Sequence, residues 1–296
     1  MMKQIVPDFY GQFSCKAETC HHTCCQGWEI DIDDMTAAHY ASMPGPIGEH
    51  LRASMVPTEE GGRQFRLTGP EKRCPFLQAD GLCQLILTIG EEQLCEICTL
   101  HPRFYEVVYT IAGPVELGGV GLCCEESCEL LLATCAPLQF IERDTKRQFS
   151  FAELLSYLQI DIPAWQQIYE PTVSAEYVQF ILDCLEQTEP INDLWTTHIQ
   201  ALQKQAGSLL ETAAAMTNKE MPPIWNRIYQ YLLYRQLERC DELAVSVLTA
   251  YAHLNTTFIL LVYCQTGCLE EAIREWSEQI EYDTDNVDLL YSCCSE

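Results

Sequence analysis

Apolar residues recur at helical spacing through much of the second half of the chain and hardly at all in the first. Positions three and four apart are apolar through Ala175 to Leu185, Leu194 to Ala215, Trp225 to Leu237 and Leu243 to Val262, which predicts four amphipathic helices. Pro222-Pro223 marks the start of the third. Gln265-Thr266-Gly267 stops the fourth before a further helix over Leu269 to Ile280. Trp195, Trp225, Tyr229, Tyr231 and Tyr234 form an aromatic series on these helices and are expected in the core. Arg235 follows them and either reaches inward or extends to solvent. His198 lies on a predicted helix without partners and reads as structural.

Up to about residue 145 the pattern is broken into short pieces rich in Cys, Gly and Pro. Asp33 or Asp34 is placed to cap a helix through Met35 to Met43, and Pro44-Gly45-Pro46 would end it. Arg63 to Leu67 and Phe104 to Ile111 read as strands, and Val115 to Leu122 as a third, weakened by glycines. Gly90-Glu91-Glu92 looks like the start of a short helix carrying Cys95 and Cys98, and Glu125 to Ala133 reads as another. The expected fold is mainly α. A cysteine-rich, metal-organised N-terminal domain with short strands (1–145) would pack on an α-helical C-terminal domain (146–296), with a soft boundary over residues 145–170.

The chain has 296 residues, 48% hydrophobic and 20% charged, so a packed core is expected rather than wholesale disorder. Its net charge is −26, which makes nucleic acid and anionic membrane poor partners and would steer a cationic, lysine-bearing protein toward it. The opening residues lack a basic segment followed by an apolar core, so no signal peptide is expected. The longest unbroken apolar run, Phe258 to Cys264, is too short to span a bilayer. A cytoplasmic location follows as the expectation, and with it thiols kept reduced.

Twelve of the 18 cysteines lie in the first 135 residues. Thiolates at this density are preferred ligands of zinc and of iron–sulfur clusters. Adjacent Cys24 and Cys25 cannot easily bond to one another, so they either serve different sites or divide into a ligand and a packing thiol. Cys95-x-x-Cys98 lets two sulfurs reach one centre from a turn or helix start. His21, His22 and His101 stand at the edge of these motifs and, among so many thiols, read as neighbours rather than ligands.

The segment Cys15-x4-Cys20-x3-Cys24-Cys25-x2-Trp28, followed by Ile30-Asp31, resembles the opening of the bacterial flagellin lysine-N-methylase family, part of a wider group with a zinc- or iron-chelating cysteine domain. Cys74-Pro75-Phe76-Leu77, Gly81-Leu82-Cys83, Gly90-Glu91-x2-Leu94-Cys95-x2-Cys98 with His101-Pro102-Arg103, and Cys124 before Glu125 match in order. Nine cysteines fall on the family's positions: Cys15, Cys20, Cys24, Cys25, Cys74, Cys83, Cys95, Cys98 and Cys124. Cys123, Cys128, Cys135 and the six C-terminal cysteines do not, and read as packing or surface thiols. A weaker likeness continues through Tyr231 to Arg235 and Ile280-Glu281. This chain has Glu278, Gln279 and Tyr282 where the family tends to have arginine, glutamate and histidine.

The resemblance implies methyl transfer from S-adenosylmethionine to lysine ε-amines of flagellin or a similar protein, with a cysteine-ligated [4Fe-4S] cluster. The alternative is a zinc- or cluster-stabilised module that binds a basic protein, and a third reading is metal storage or redox sensing, with exposed Cys123, Cys293 and Cys294 as reactive thiols. No strand–Gly-x-Gly–helix unit with a following acidic residue is present; the glycine-rich Val115 to Gly121 reads as strand or turn. The Cys-x3-Cys-x2-Cys signature of radical enzymes is broken, because Gly27 stands at its third cysteine. Arg103 is a candidate to clamp the donor's carboxylate by a bidentate hydrogen bond. Trp28, Glu29, Asp31 and Tyr105 are candidates to orient and deprotonate the lysine, which has no lone pair while it is an ammonium.

Overall fold

The computed structural model describes residues 2–59, 61–217 and 221–295. Its strands are β1 (Lys3–Pro7), β2 (Asp31–Ile32), β3 (Met55–Pro57), β4 (Arg63–Phe65), β5 (Arg103–Thr110), β6 (Gly113–Val120), β7 (Gln139–Glu142) and β8 (Gln148–Ser150). Its helices are α1 (Asp34–Ser42), α2 (Gly45–Ser54), α3 (Gln84–Ile89), α4 (Glu96–Leu100), α5 (Glu125–Leu132), α6 (Phe151–Leu158), α7 (Ala175–Glu186), α8 (Asp193–Thr217), α9 (Ile224–Tyr234), α10 (Val245–Thr266), α11 (Leu269–Trp276) and α12 (Thr284–Cys293). The chain is mainly α. It forms two units, and the division is discontinuous where the change in composition suggested one cut near residue 145. Residues 1–13, 105–123 and 127–296 make the larger unit, and residues 14–104 with 124–126 the smaller.

In the larger unit five strands lie in the order β5-β6-β1-β7-β8. The N-terminal strand sits in the middle, parallel to β6 and antiparallel to β7. Helix α9 is tied to this sheet by two buried tyrosines. The Tyr231 hydroxyl donates to the Val120 carbonyl (2.6 Å) and accepts the Val120 N–H (2.8 Å), so one side chain satisfies both backbone groups at the end of β6. The Tyr234 hydroxyl lies 2.9 Å from the carbonyls of Ile5 and Gly118. Gly118 is closely packed, since a Cβ there would come within 3.2 Å of the Tyr105 ring and of Val6. Arg227, on the same helix, is buried among the Asp8 carboxylate (2.7 and 3.2 Å) and the Leu131 and Ala136 carbonyls (2.9 and 3.3 Å).

Helix α10 is the centre of the helical layer and packs against α8, α9, α11 and α12. By length and composition it could cross a membrane, which the search for unbroken apolar runs missed, yet 78% of its most apolar window is buried inside the protein. Its polar residues are hidden by local bonds. Asn255, Thr256, Thr257 and Thr266 each donate back to the carbonyl four residues earlier, and Asn255 also accepts from Trp276 Nε1 at 2.7 Å. Arg235 points inward and ion-pairs with Glu281 in the core. It does not extend to solvent.

The smaller unit holds a three-stranded antiparallel sheet in the order β2-β4-β3 with α1 to α4 around it. Asp33 caps α1, accepting the Thr36 N–H (2.9 Å), and its other oxygen accepts the Glu96 N–H at the start of α4 (3.0 Å). One carboxylate thus fixes the first helix relative to the Cys95–Cys98 turn. The core is small: Ile30, Ile32, Tyr40, Leu51, Phe65, Phe76 and Leu85, completed by the thiols of Cys74 and Cys95. Cys25, Cys83 and Cys98 pack against it. Sulfur therefore replaces part of the hydrocarbon that so short a segment lacks.

Candidate metal centre

The nine cysteines expected as ligands all lie in the smaller unit, including Cys124, which joins it from 20 residues beyond the main segment. Five gather around its core. The Cys74 N–H donates to the Cys25 carbonyl at 2.8 Å, Cys83 bridges to Leu77 just after Cys74, and the Cys95 and Cys98 thiols are hydrogen-bonded to each other. Burial raises Cys74 to about 12 and raises Cys83, and the neighbouring thiols Cys25, Cys83 and Cys95 add to these shifts. Cys98 is raised further, first by its bond to Cys95 and then by burial, with Cys25 and Cys74 contributing. The Tyr40 ring closes this set. Its hydroxyl donates to the Gln93 carbonyl at 2.7 Å, and burial with the nearby Cys95, Cys98 and Cys83 raises its pKa.

The other four form a second set. Burial raises Cys20 to about 11, with contributions from Glu125, Cys124 and Cys15; Cys24 is raised by its bond to Cys25, by burial, and by Cys15 and Cys124. The adjacent pair divides here. Cys24 neighbours Cys15 and Cys124, whereas Cys25 neighbours Cys74, Cys83 and Cys98. The two thiols of the pair share a proton, so the Cys24 bond lowers Cys25 to about 7.

Glu125, the first residue of α5, stands beside the second set and is 3% exposed. Oε1 pairs with Lys16 Nζ and lies 3.2 Å from His21 Nδ1; Oε2 accepts the His21 N–H at 2.8 Å and lies 3.9 Å from Cys20 Sγ. Burial alone would raise this carboxyl, but the bonds from Lys16 and His21 outweigh it and hold it at about 2. Sequence reasoning read Glu125 only as a helix start, since nothing local to it announces its partners 104 to 109 residues away.

Among the described residues no three His, Cys, Asp or Glu side chains stand close enough around one point to hold a metal ion. The expected metal organisation is therefore not shown, and the thiols stand in two gatherings. Their donor chemistry, almost entirely sulfur, fits zinc or an iron–sulfur centre.

The remaining candidates are dispersed. Trp28 donates to the Cys24 carbonyl (2.8 Å) and tilts against the His101 ring at 6.1 Å, which makes it a brace for the cysteine loop. Burial lowers His101 to about 4. Glu29 and Asp31 are exposed, and Arg103 is half-buried at the first position of β5. Tyr105 belongs to the larger unit, its hydroxyl 2.7 Å from that of Tyr10. Cys123, expected as an exposed reactive thiol, is buried, and burial raises Cys294 to about 12. In the larger unit Glu238 is the carboxylate that sequence reasoning missed. Burial raises it to about 7, against Arg239 at 3.3 Å and with Glu106 and Glu242 adding to the rise.

Three proteins share significant similarity with part of this chain. Over 109 residues, 34% of the chain, it is 30% identical to the flagellar biosynthetic protein FliU of Salmonella muenchen and to proteins named lysine-N-methylase from Salmonella typhimurium and Salmonella choleraesuis. The chain is a distant relative of lysine-N-methylases. The similar stretch spans 64% of the first protein and 27% of each of the other two. No protein-family profile matches the chain, and no solved structure does.

Proposed function

We propose that this protein is a cytoplasmic protein-lysine N-methyltransferase that uses S-adenosylmethionine and a cysteine-ligated iron–sulfur centre to methylate flagellin or a similar lysine-bearing protein. The observation that carries the reading is the similarity to proteins named lysine-N-methylase, seen in a chain whose nine family-position cysteines fold into two neighbouring sets. Cys15, Cys20, Cys24 and Cys124 would supply one set of ligands, and Cys25, Cys74, Cys83, Cys95 and Cys98 the other. The centre would supply charge and, as a redox group, electron transfer. In the transfer itself the amine nitrogen attacks the sulfonium methyl, the carbon–sulfur bond breaks, and S-adenosylhomocysteine leaves. The lysine must shed its proton to an acceptor before its nitrogen can attack. Arg103 is proposed to hold the donor's carboxylate.

The test is methyl transfer to purified flagellin by protein prepared without oxygen, read as lysines heavier by one methylene unit. A brown, iron- and sulfide-containing protein that leaves every lysine unmodified would sink the enzyme reading. The charge of −26 favours a second reading, a zinc-stabilised module that binds a basic protein. Its signature is a colourless, zinc-bearing preparation that retains a basic partner and transfers nothing.

A further inference from the structure

The four-thiol set depends on a cysteine that arrives from far along the chain. Cys15, Cys20 and Cys24 belong to one loop, whereas Cys124 comes about a hundred residues later, within the three-residue segment 124–126 that joins the smaller unit. The next residue makes the connection. Glu125 is 3% exposed, and its carboxylate meets the loop that bears the other three thiols at Lys16 Nζ, the His21 N–H, His21 Nδ1 and Cys20 Sγ. A buried carboxylate held this way is costly to leave unpaired, so the loop and the start of α5 are locked in one register.

We propose that Glu125 is the positioning residue of the four-thiol centre: by clamping Lys16, Cys20 and His21 it brings Cys124 into one ligand set with Cys15, Cys20 and Cys24. This rests on the reading that these thiols hold metal. A buried ion pair with no bearing on metal would also stabilise the loop, so the test has to separate the two roles.

The full chain, reconstituted without oxygen with iron and sulfide and separately with zinc, is compared with Glu125→Gln, Glu125→Ala and Cys124→Ser. Three readouts are taken: metal per chain, the absorption spectrum, and the identity of cysteines alkylated in the metal-loaded protein by mass spectrometry. Glu125→Ala is expected to open Cys15, Cys20 and Cys124 to alkylation while Cys74, Cys83, Cys95 and Cys98 stay protected, and Cys124→Ser should open Cys15 and Cys20 in the same way. Glu125→Gln keeps the shape and an acceptor for the His21 N–H but loses the charge facing Lys16. It should bind metal at this centre about 10- to 100-fold more weakly, the usual effect of losing a group that orients a metal ligand. If Glu125→Ala fails to fold, Glu125→Gln alone decides. Full metal content, an unchanged spectrum and an unchanged alkylation footprint in the glutamine variant, with only a lower melting temperature, would overturn the proposal. A wild-type chain that takes up neither iron nor zinc and leaves all nine thiols open is a different failure, because it rejects the metal reading itself.

Discussion

Replacing Tyr231 by phenylalanine removes one oxygen from a fully buried ring and leaves both backbone groups of Val120 without the partner they share. Val120 is 0% exposed, so water cannot substitute. Each of the two stranded polar groups costs about 1–3 kcal/mol in a dry site, and the folded state regains about 1–3 kcal/mol by no longer burying the hydroxyl, for a net loss of about 1–3 kcal/mol. Tyr234→Phe is the control on the same helix. Its hydroxyl has one proton for two carbonyls, those of Ile5 and Gly118, so at most one donated bond is lost, about 1 kcal/mol. Equilibrium urea unfolding followed by circular dichroism measures both, with an unchanged slope marking a pure stability change. Amide exchange at Val120 gives the local check, since its N–H should lose protection in Tyr231→Phe alone. A Tyr231→Phe midpoint no lower than that of Tyr234→Phe, with Val120 still protected, would refute the reasoning.

Arg227→Met should cost about 3–5 kcal/mol, toward the lower end because the Asp8 side chain it leaves unpaired is 27% exposed; the same urea titration reads it. His198 stands between Glu275 Oε1 (2.6 Å) and Gln265 Oε1 (2.7 Å), and the Glu275 bond raises its pKa above 6.5. Its contribution is therefore complete below pH 6.5 and is lost as the pH rises through the folded-state value. Melting temperatures across that range should fall in the wild type and stay flatter in His198→Gln. Asp33→Ala removes the cap of α1 and the acceptor for the Glu96 N–H, with an expected loss of about 1–2 kcal/mol in thermal or urea unfolding.

The helices of the second half were legible because a periodic apolar face is a local signal. Those beginning at Ala175, Asp193 and Ile224 start within a residue of their expected positions. The strands over Arg63–Phe65, Arg103–Thr110 and Gly113–Val120 were legible for the same reason. Other elements were not. β1 has too few residues to show a period, and its place in the sheet is set by β6, more than a hundred residues on. Pro44-Gly45-Pro46 was read as a stop, and it does end α1, but it also opens α2 because proline suits a first helical turn. α10 was legible as the helix over Leu243 to Val262, but its length as an apolar span was not, because its Asn and Thr residues interrupt the run while bonding within their own helix. The cysteines announced themselves by density. Which of them are neighbours, and that Glu125 stands behind one set, depends on long-range folding that spacing alone does not encode.

The position of β1 has a consequence for how the chain is made. This strand leaves the ribosome before the rest of its sheet, and its parallel partner at Val115–Leu117 is synthesised only after the whole of residues 14–104. Joining the two closes a very long loop, and the entropy of that closure is smaller when the intervening chain has already become compact. The cysteine-rich segment is complete before β6 exists, apart from Cys124, which follows β6 by four residues. If the smaller unit becomes compact first, it shortens the loop that β1 must close, and the rate of that compaction sets how long an unpaired strand waits exposed.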